Sequence, residues 1–142
     1  MFFYTDGSYR PATNKEAASV IGVNSLNEVV INDVQKFVNT TAQRMELRAI
    51  LNALKISNIL SFKTISIFSD SKYSVDALNI WLPTWIRRGW KTNSRRKVCN
   101  KDLFEAILRE RNGLNVTFSW IKAHCGHPFN SLADYMAGLH TK

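Results

Sequence analysis

The chain has 142 residues, 45% of them apolar, which suits one folded domain (1–142) with its own core and excludes a disordered tail. Lysine and arginine outnumber aspartate and glutamate 19 to 11, and the resulting net charge of +8 favours an anionic partner. No run approaches the roughly 20 apolar residues of a membrane span, Asp6 comes too early for a signal peptide, and Cys99 and Cys125 lack framework spacing, so no membrane partner and a reduced, cytoplasmic setting are expected.

Residues 2–5 predict a strand running into a turn at Asp6-Gly7-Ser8. Residues 17–23 and 28–38 predict two more strands, joined through the turn-prone Asn24-Ser25-Leu26-Asn27 as a meander. Thr41 opens a helix over 42–60, with apolar Met45, Ala49, Ile50, Ala53, Leu54 and Ile56. Residues 64–68 form a fourth strand, and helical patterns run from 72 to 86 with a break at Pro83. Residues 101–111 are helical, 116–121 form a fifth strand, and 131–139 form a last helix capped by Asn130. Strand–helix–strand units imply parallel pairing in the second half. The sum is an α/β, or mixed α+β, five-stranded sheet with helices on its faces.

Four of the eleven acidic residues stand where acids are usually avoided. Asp6 and Asp70 follow strands, the place where open sheets gather ligand sites. Glu46 shares its helical stripe with Ala49, Ile50, Ala53 and Leu54, so its carboxylate needs a cation or a strong donor. Asp134 lies early in the last helix, where its charge suits the dipole. Each has a plainer reading: Asp6 as a turn residue, Asp70 as an N-cap, Glu46 as a partner of Arg44 or Arg48, Asp134 as a first-turn acid. Together they form a self-repelling cluster that hard cations relieve. Magnesium prefers carboxylate oxygens and shares its remaining sites with phosphate. Two such ions, about 4 Å apart, can activate water and stabilise a leaving oxygen.

The positive charge is concentrated. Between residues 77 and 101 there is no acid, while Arg87, Arg88, Lys91, Arg95, Arg96, Lys97 and Lys101 supply seven of the eight surplus charges. Trp81, Trp85 and Trp90 fall in the same window. Basic groups hold phosphate and flat rings pack on sugars and bases, which points to nucleic acid. The alternative is a solvated basic face anchored by tryptophans.

The runs Thr5-Asp6-Gly7-Ser8, 40–47 (Thr-Thr-Ala-Gln-Arg-Met-Glu-Leu), Ser69-Asp70-Ser71, 120–128 (Trp-Ile-Lys-Ala-His-Cys-Gly-His-Pro) and Leu132-Ala133-Asp134 resemble the bacterial type 1 ribonuclease H family, in order and in spacing. The resemblance covers essentially the whole chain and implies the ribonuclease H-like fold, with helices on both faces of the sheet, in a free-standing catalytic domain acting as a monomer. It implies an endonuclease that cuts the RNA strand of an RNA/DNA hybrid, leaving a 5′-phosphate and a 3′-hydroxyl. Asp6 would bridge two Mg2+ ions, for which Mn2+ is a substitute. Asp134 would hold the ion that activates water, and Glu46 and Asp70 the ion on the leaving-group side. His124 would assist turnover. Gly7, Ser8 and Gln43 would contact the hybrid, Tyr73 and Trp81 would line its DNA-strand channel, and Thr41 and Asn100 would grip a DNA phosphate. Trp85, Arg87, Arg88, Trp90 and Lys91 would belong to a basic handle. A zinc site from His124, Cys125 and His127 competes weakly, since a fourth ligand is missing.

The chain departs from that pattern in places. The loop after Ser8 lacks a glycine-rich run, Ala12 and Ala42 stand where amides are common, with Asn14 a candidate substitute for the first, and Phe129 replaces a frequent acid. Three other readings remain: an integrase or transposase core on the same fold, a ribonuclease H domain of a reverse transcriptase or mobile element, and a non-catalytic hybrid-binding module.

Overall fold

The protein is described by a computed structural model over residues 1–12, 15–123 and 126–139. Asn14, His124 and Cys125 lie outside the described residues. Strand β1 (Phe2–Arg10) pairs antiparallel with β2 (Lys15–Val23), and β2 antiparallel with β3 (Val29–Val38). Asn24 closes the β2–β3 turn, its Oδ1 accepting from the N–H groups of Leu26 and Glu28 at 3.0 Å each. On the other side of β1 lies β4 (Thr64–Ser69), parallel to it, followed by β5 (Asn115–Trp120), parallel to β4. The order β3-β2-β1-β4-β5 is the expected mixed sheet.

The turn expected at Asp6-Gly7-Ser8 is absent. There β1 runs on, because Asp6, Gly7 and Ser8 keep β2 partners in Ser19, Ala18 and Ala17 after the last β4 partner has been passed at Thr5. Strand alternation then sorts the side chains. Phe3, Val20 and Ile67 enter the larger core, and Tyr4, Ile21 and Val23 enter a smaller one on the opposite face.

Helix α1 (Ala42–Ile59) covers the larger core with Leu47, Ile50, Ala53 and Leu54, and is capped by Thr41, whose Oγ1 accepts from Arg44 N–H at 3.2 Å. Full burial of each such Leu or Ile contributes about 1.5–3 kcal/mol. Ser71 caps α2 (Lys72–Asp76). A π-helical turn (Ala77–Trp81) then leads into α3 (Leu82–Arg87). Pro83 therefore does not break the helix where expected. Its ring would crowd the carbonyl of Asn79 four residues back, and the wide turn just before it takes up that clash. Helix α4 (Lys101–Arg111) adds Leu103, Phe104 and Ile107 to the same core.

Helix α5 (Pro128–Leu139) covers the other face with Ala133, so helices stand on both sides of the sheet. It begins earlier than the sequence suggests. Pro128 needs no N–H partner at a first helical position, and Ser131 N–H already bonds the His127 carbonyl at 3.0 Å. Asn130 is thus a buried residue within the helix and not its cap. Among the described residues no helix is long and apolar enough to cross a membrane.

Candidate active site

Three carboxylates meet where β1 parts from β4. Asp6 and Asp70 each follow the last pair of the two parallel strands, Thr5 and Ser69, and so stand side by side at their carboxyl ends. Glu46 arrives from α1. Its approach depends on Gly7, since a Cβ there would stand 2.7 Å from Glu46 N and 2.7 Å from Met45 Cβ. Gly7 is needed for close approach between helix and strand, not for a turn. One oxygen from each of Asp6, Glu46 and Asp70 lies within 4.8 Å of the others.

Asp134 is brought in from the opposite face. Ser19, the β2 partner of Asp6, donates its hydroxyl to the Ala133 carbonyl at 2.6 Å. That buried bond ties α5 to the sheet beside Asp6, with Asp134 the next residue along. Asp134 is exposed and stands outside the close trio. It belongs to the second turn of α5, because that helix starts at Pro128, so the first-turn reading does not hold.

The electrostatics are those of a site short of positive charge. Burial, reinforced by the charges of Glu46 and Asp70 and by a side-chain hydrogen bond with Asp134, pushes the Asp6 carboxyl far above the usual carboxylate range. Burial and the Asp70 charge also raise Glu46, opposed by hydrogen bonds from Asp6 and from the Gly7 backbone. Without a metal, both carboxyls therefore resist ionisation. Even so, Asp6 Oδ2 and Glu46 Oε2 are buried without hydrogen-bond partners. Unsatisfied anionic oxygens at this spacing fit a hard divalent cation.

The plainer readings of the acids fare poorly. Ser71, not Asp70, caps α2. Arg44 pairs with Asp102 at 2.7 Å, and Arg48 lays its guanidinium 4.5 Å from the Phe37 ring centre, so Glu46 is the ion-pair partner of neither. As for zinc, His124 and Cys125 lie outside the described residues, and the His127 ring packs 4.9 Å from that of Tyr4.

The expected substrate contacts fall into two groups. Thr41 and Asn100 converge through Arg44, whose backbone N–H donates to Thr41 Oγ1 and whose Nη1 donates to Asn100 Oδ1, both at 3.2 Å. Asn100 Nδ2 in turn donates to the Tyr73 hydroxyl at 3.3 Å. Arg44, not anticipated from sequence, is the hub of this pocket, and only the fold reveals it. Gln43 is exposed on the first turn of α1, and Ser8 is partly exposed on β1.

The tryptophans form a graded series. Trp81 is exposed, with its ring 6.3 Å from Tyr73 and 5.9 Å from Trp85. Trp85 meets Phe104 edge-on at 5.4 Å and, like Trp90, packs partly against the core. Trp85 and Trp90 thus anchor the segment to the core, while Trp81 is left open to solvent. All seven basic residues of the window are exposed. Arg88, Lys91, Thr92, Asn93 and Arg95 line an open depression of about 710 Å³.

A mixed sheet carrying a carboxylate cluster at its strand ends, beside an exposed basic and aromatic segment, defines a ribonuclease H-like fold with a candidate metal centre. The ribonuclease H family model matches residues 1–141. Ribonuclease H of Hahella chejuensis (strain KCTC 2396) is 33% identical over 139 residues, covering 98% of this chain and 91% of that protein. Ribonuclease H of Anaeromyxobacter dehalogenans (strain 2CP-C) is 42% identical over 97 residues, 68% of this chain and only 52% of that protein, about half its length. Among solved structures, a type 1 ribonuclease H with the type 2 active-site motif superposes with a TM-score of 0.81 at 27% identity, covering 99% of this chain and 72% of that one. A foamy viral protease-reverse transcriptase in complex with RNA/DNA hybrid shares the fold, with a TM-score of 0.86 at 22% identity over 99% of this chain and 20% of that one. The chain belongs to the ribonuclease H family.

Proposed function

We propose that this protein is an endonuclease that hydrolyses the RNA strand of RNA/DNA hybrids, leaving a 5′-phosphate and a 3′-hydroxyl, with residues 1–142 acting as one monomeric catalytic domain. The observation that carries the reading is the convergence of Asp6, Glu46 and Asp70 with two orphaned, buried carboxylate oxygens. Asp6, Glu46, Asp70 and Asp134 would hold two Mg2+ ions, with Mn2+ able to substitute. When bound, such ions lower the pKa of a water and neutralise charge developing at the phosphate.

The chain's own residues do the rest. Asp6 would offer the ions its buried Oδ2, which has no hydrogen-bond partner in the protein. The Gly7 N–H holds the Glu46 carboxylate, fixing it beside the ribose 2′-hydroxyl that distinguishes RNA from DNA. Thr41 and Asn100, joined through Arg44, grip a phosphate of the DNA strand, with Tyr73 and Trp81 beside them. Gly7, Ser8 and Gln43 meet the minor groove. Arg87, Arg88 and Lys91, backed by Trp85 and Trp90, hold the backbone electrostatically without reading sequence. His124 assists turnover, an assignment that rests on its sequence motif. An exposed, unpaired Cys99 accords with a reducing, cytoplasmic setting.

The test is incubation with labelled RNA/DNA hybrid, RNA duplex, DNA duplex and single-stranded RNA, with and without Mg2+ or Mn2+. Metal-dependent cutting confined to the RNA strand of the hybrid is the expected result. Binding of hybrid without cutting under either metal would make the chain a non-catalytic hybrid-binding module. Cutting of duplex DNA would move it toward the integrase class.

A further inference from the structure

One aromatic ring beside the carboxylates has no role in the cleavage proposed so far. Trp120 ends β5 opposite Ser69, the residue before Asp70. Its indole N–H donates to the Asp70 carbonyl at 3.2 Å, which fixes the ring against the metal-ligand segment. Although held this way, Trp120 is 47% exposed. A large ring kept in water and pinned by its polar end is oriented for contact rather than buried for stability. Lys72, exposed on the first turn of α2, rests its ammonium 5.7 Å from the centre of that ring. At an exposed site such a cation–π contact is worth little more than thermal energy, so the charge is free to exchange the ring for a phosphate.

We propose that Trp120 and Lys72 form a ribose-phosphate clamp for the strand being cut, one nucleotide away from the scissile phosphate. This rests on the reading that the hybrid is the substrate. The indole face packs on a ribose, whose C–H surface is accessible along the shallow minor groove of an A-like duplex, while paired bases are not. The Lys72 ammonium leaves the ring for the adjoining phosphate. Strand choice follows from placement. The scissile phosphate must lie on the carboxylates, and Trp120 touches the Asp70 backbone, so it meets the same strand. The basic segment between residues 87 and 97 serves the hybrid elsewhere.

The experiment is a coupling measurement on intact hybrids, with Ca2+ replacing Mg2+ to prevent cutting. RNA strands carry a single neutral methylphosphonate linkage, stabilised by 2′-O-methylation at that nucleotide, moved stepwise past the scissile position. Controls carry the 2′-O-methyl group alone, and a second series neutralises the DNA strand. For the wild type, one RNA-strand position next to the cut site weakens binding about tenfold. Lys72→Gln, an exposed change, loses the same factor on unmodified hybrid and is insensitive to that linkage, while DNA-strand neutralisation affects both proteins equally. Trp120→Phe keeps most binding and Trp120→Ala loses it, since a ring is needed and the N–H is not.

If Trp120→Phe falls as far as Trp120→Ala, the indole serves only to hold Asp70 and the clamp is wrong. If wild type binds and cuts hybrid but no RNA-strand position couples to Lys72, the clamp is likewise wrong and the nuclease reading stands. If wild type neither binds nor cuts hybrid, the clamp falls together with that reading.

Discussion

Glu46 carries the clearest conflict between stability and chemistry. Its carboxylate and that of Asp6 have pKa values raised in the folded, metal-free protein. Between the ordinary carboxylate pKa, about 4, and those raised values, the folded state binds more protons than the unfolded state. Their contribution is therefore fully present below about pH 4 and is lost as pH rises through the folded values. Glu46→Gln should raise the metal-free Tm by about 3 °C or more, with the gain widening from pH 5 to pH 8. Thermal melts in chelator check this, and a fall in Tm at every pH would make Glu46 a structural partner instead. Wild type should gain stability from added Mg2+, and Glu46→Gln much less. Asp70→Asn should abolish cleavage while leaving hybrid affinity within a few-fold, measured by gel assay and fluorescence anisotropy. Retained cleavage would remove Asp70 from the site.

At the level of elements, the site is an outcome of how α1 and α5 seat on the sheet. Gly7→Ala forces Met45 and Glu46 away from β1, because a methyl group cannot stand 2.7 Å from backbone and side-chain atoms. Loss of about 1–3 kcal/mol is expected from such overpacking. Cleavage should drop further than the folded fraction does, as seen by comparing kcat with denaturant unfolding. Ser19→Ala removes the 2.6 Å bond to the Ala133 carbonyl and leaves that buried acceptor unpaired, at a cost of about 1–3 kcal/mol. It also loosens the register that sets Asp134 beside Asp6. The expected signature is a reduced kcat with hybrid affinity nearly unchanged. An unaltered kcat would show that α5 keeps its seat by packing alone.

For the whole molecule, opposite charges are separated in space. The acids gather at the strand ends, while seven exposed cations lie along the segment that follows the π turn. Replacing Arg87, Arg88 and Lys91 together should weaken hybrid binding and flatten the plot of log K against log salt by about 2–3, roughly 0.9 for each phosphate no longer neutralised. Titration of anisotropy at several salt concentrations decides this, and an unchanged slope would seat the hybrid elsewhere.

Periodicity sufficed for the strand and helix order, because alternation and the 3.6-residue stripe reflect which faces are buried, and burial dominates the energetics. The sheet pattern, the convergence of Asp6, Glu46 and Asp70 and the basic window were all legible in the sequence, the acids because charge on an apolar stripe or at a strand end is costly enough to need a reason. What sequence misread was local. A turn at Gly7, a cap at Asn130 and a break at Pro83 each follow from residue preference, and each yields to contacts distant in the chain or to helix geometry. Partners on β2 keep β1 extended through Gly7, Pro128 starts α5 early, and a widened turn absorbs Pro83. The hub at Arg44, the Ser19–Ala133 bond and the Trp120 ring beside Asp70 join residues 56, 114 and 50 positions apart. Contacts of that kind leave no periodic trace in a sequence, because they depend on where whole elements come to rest, and only the tertiary structure decided them.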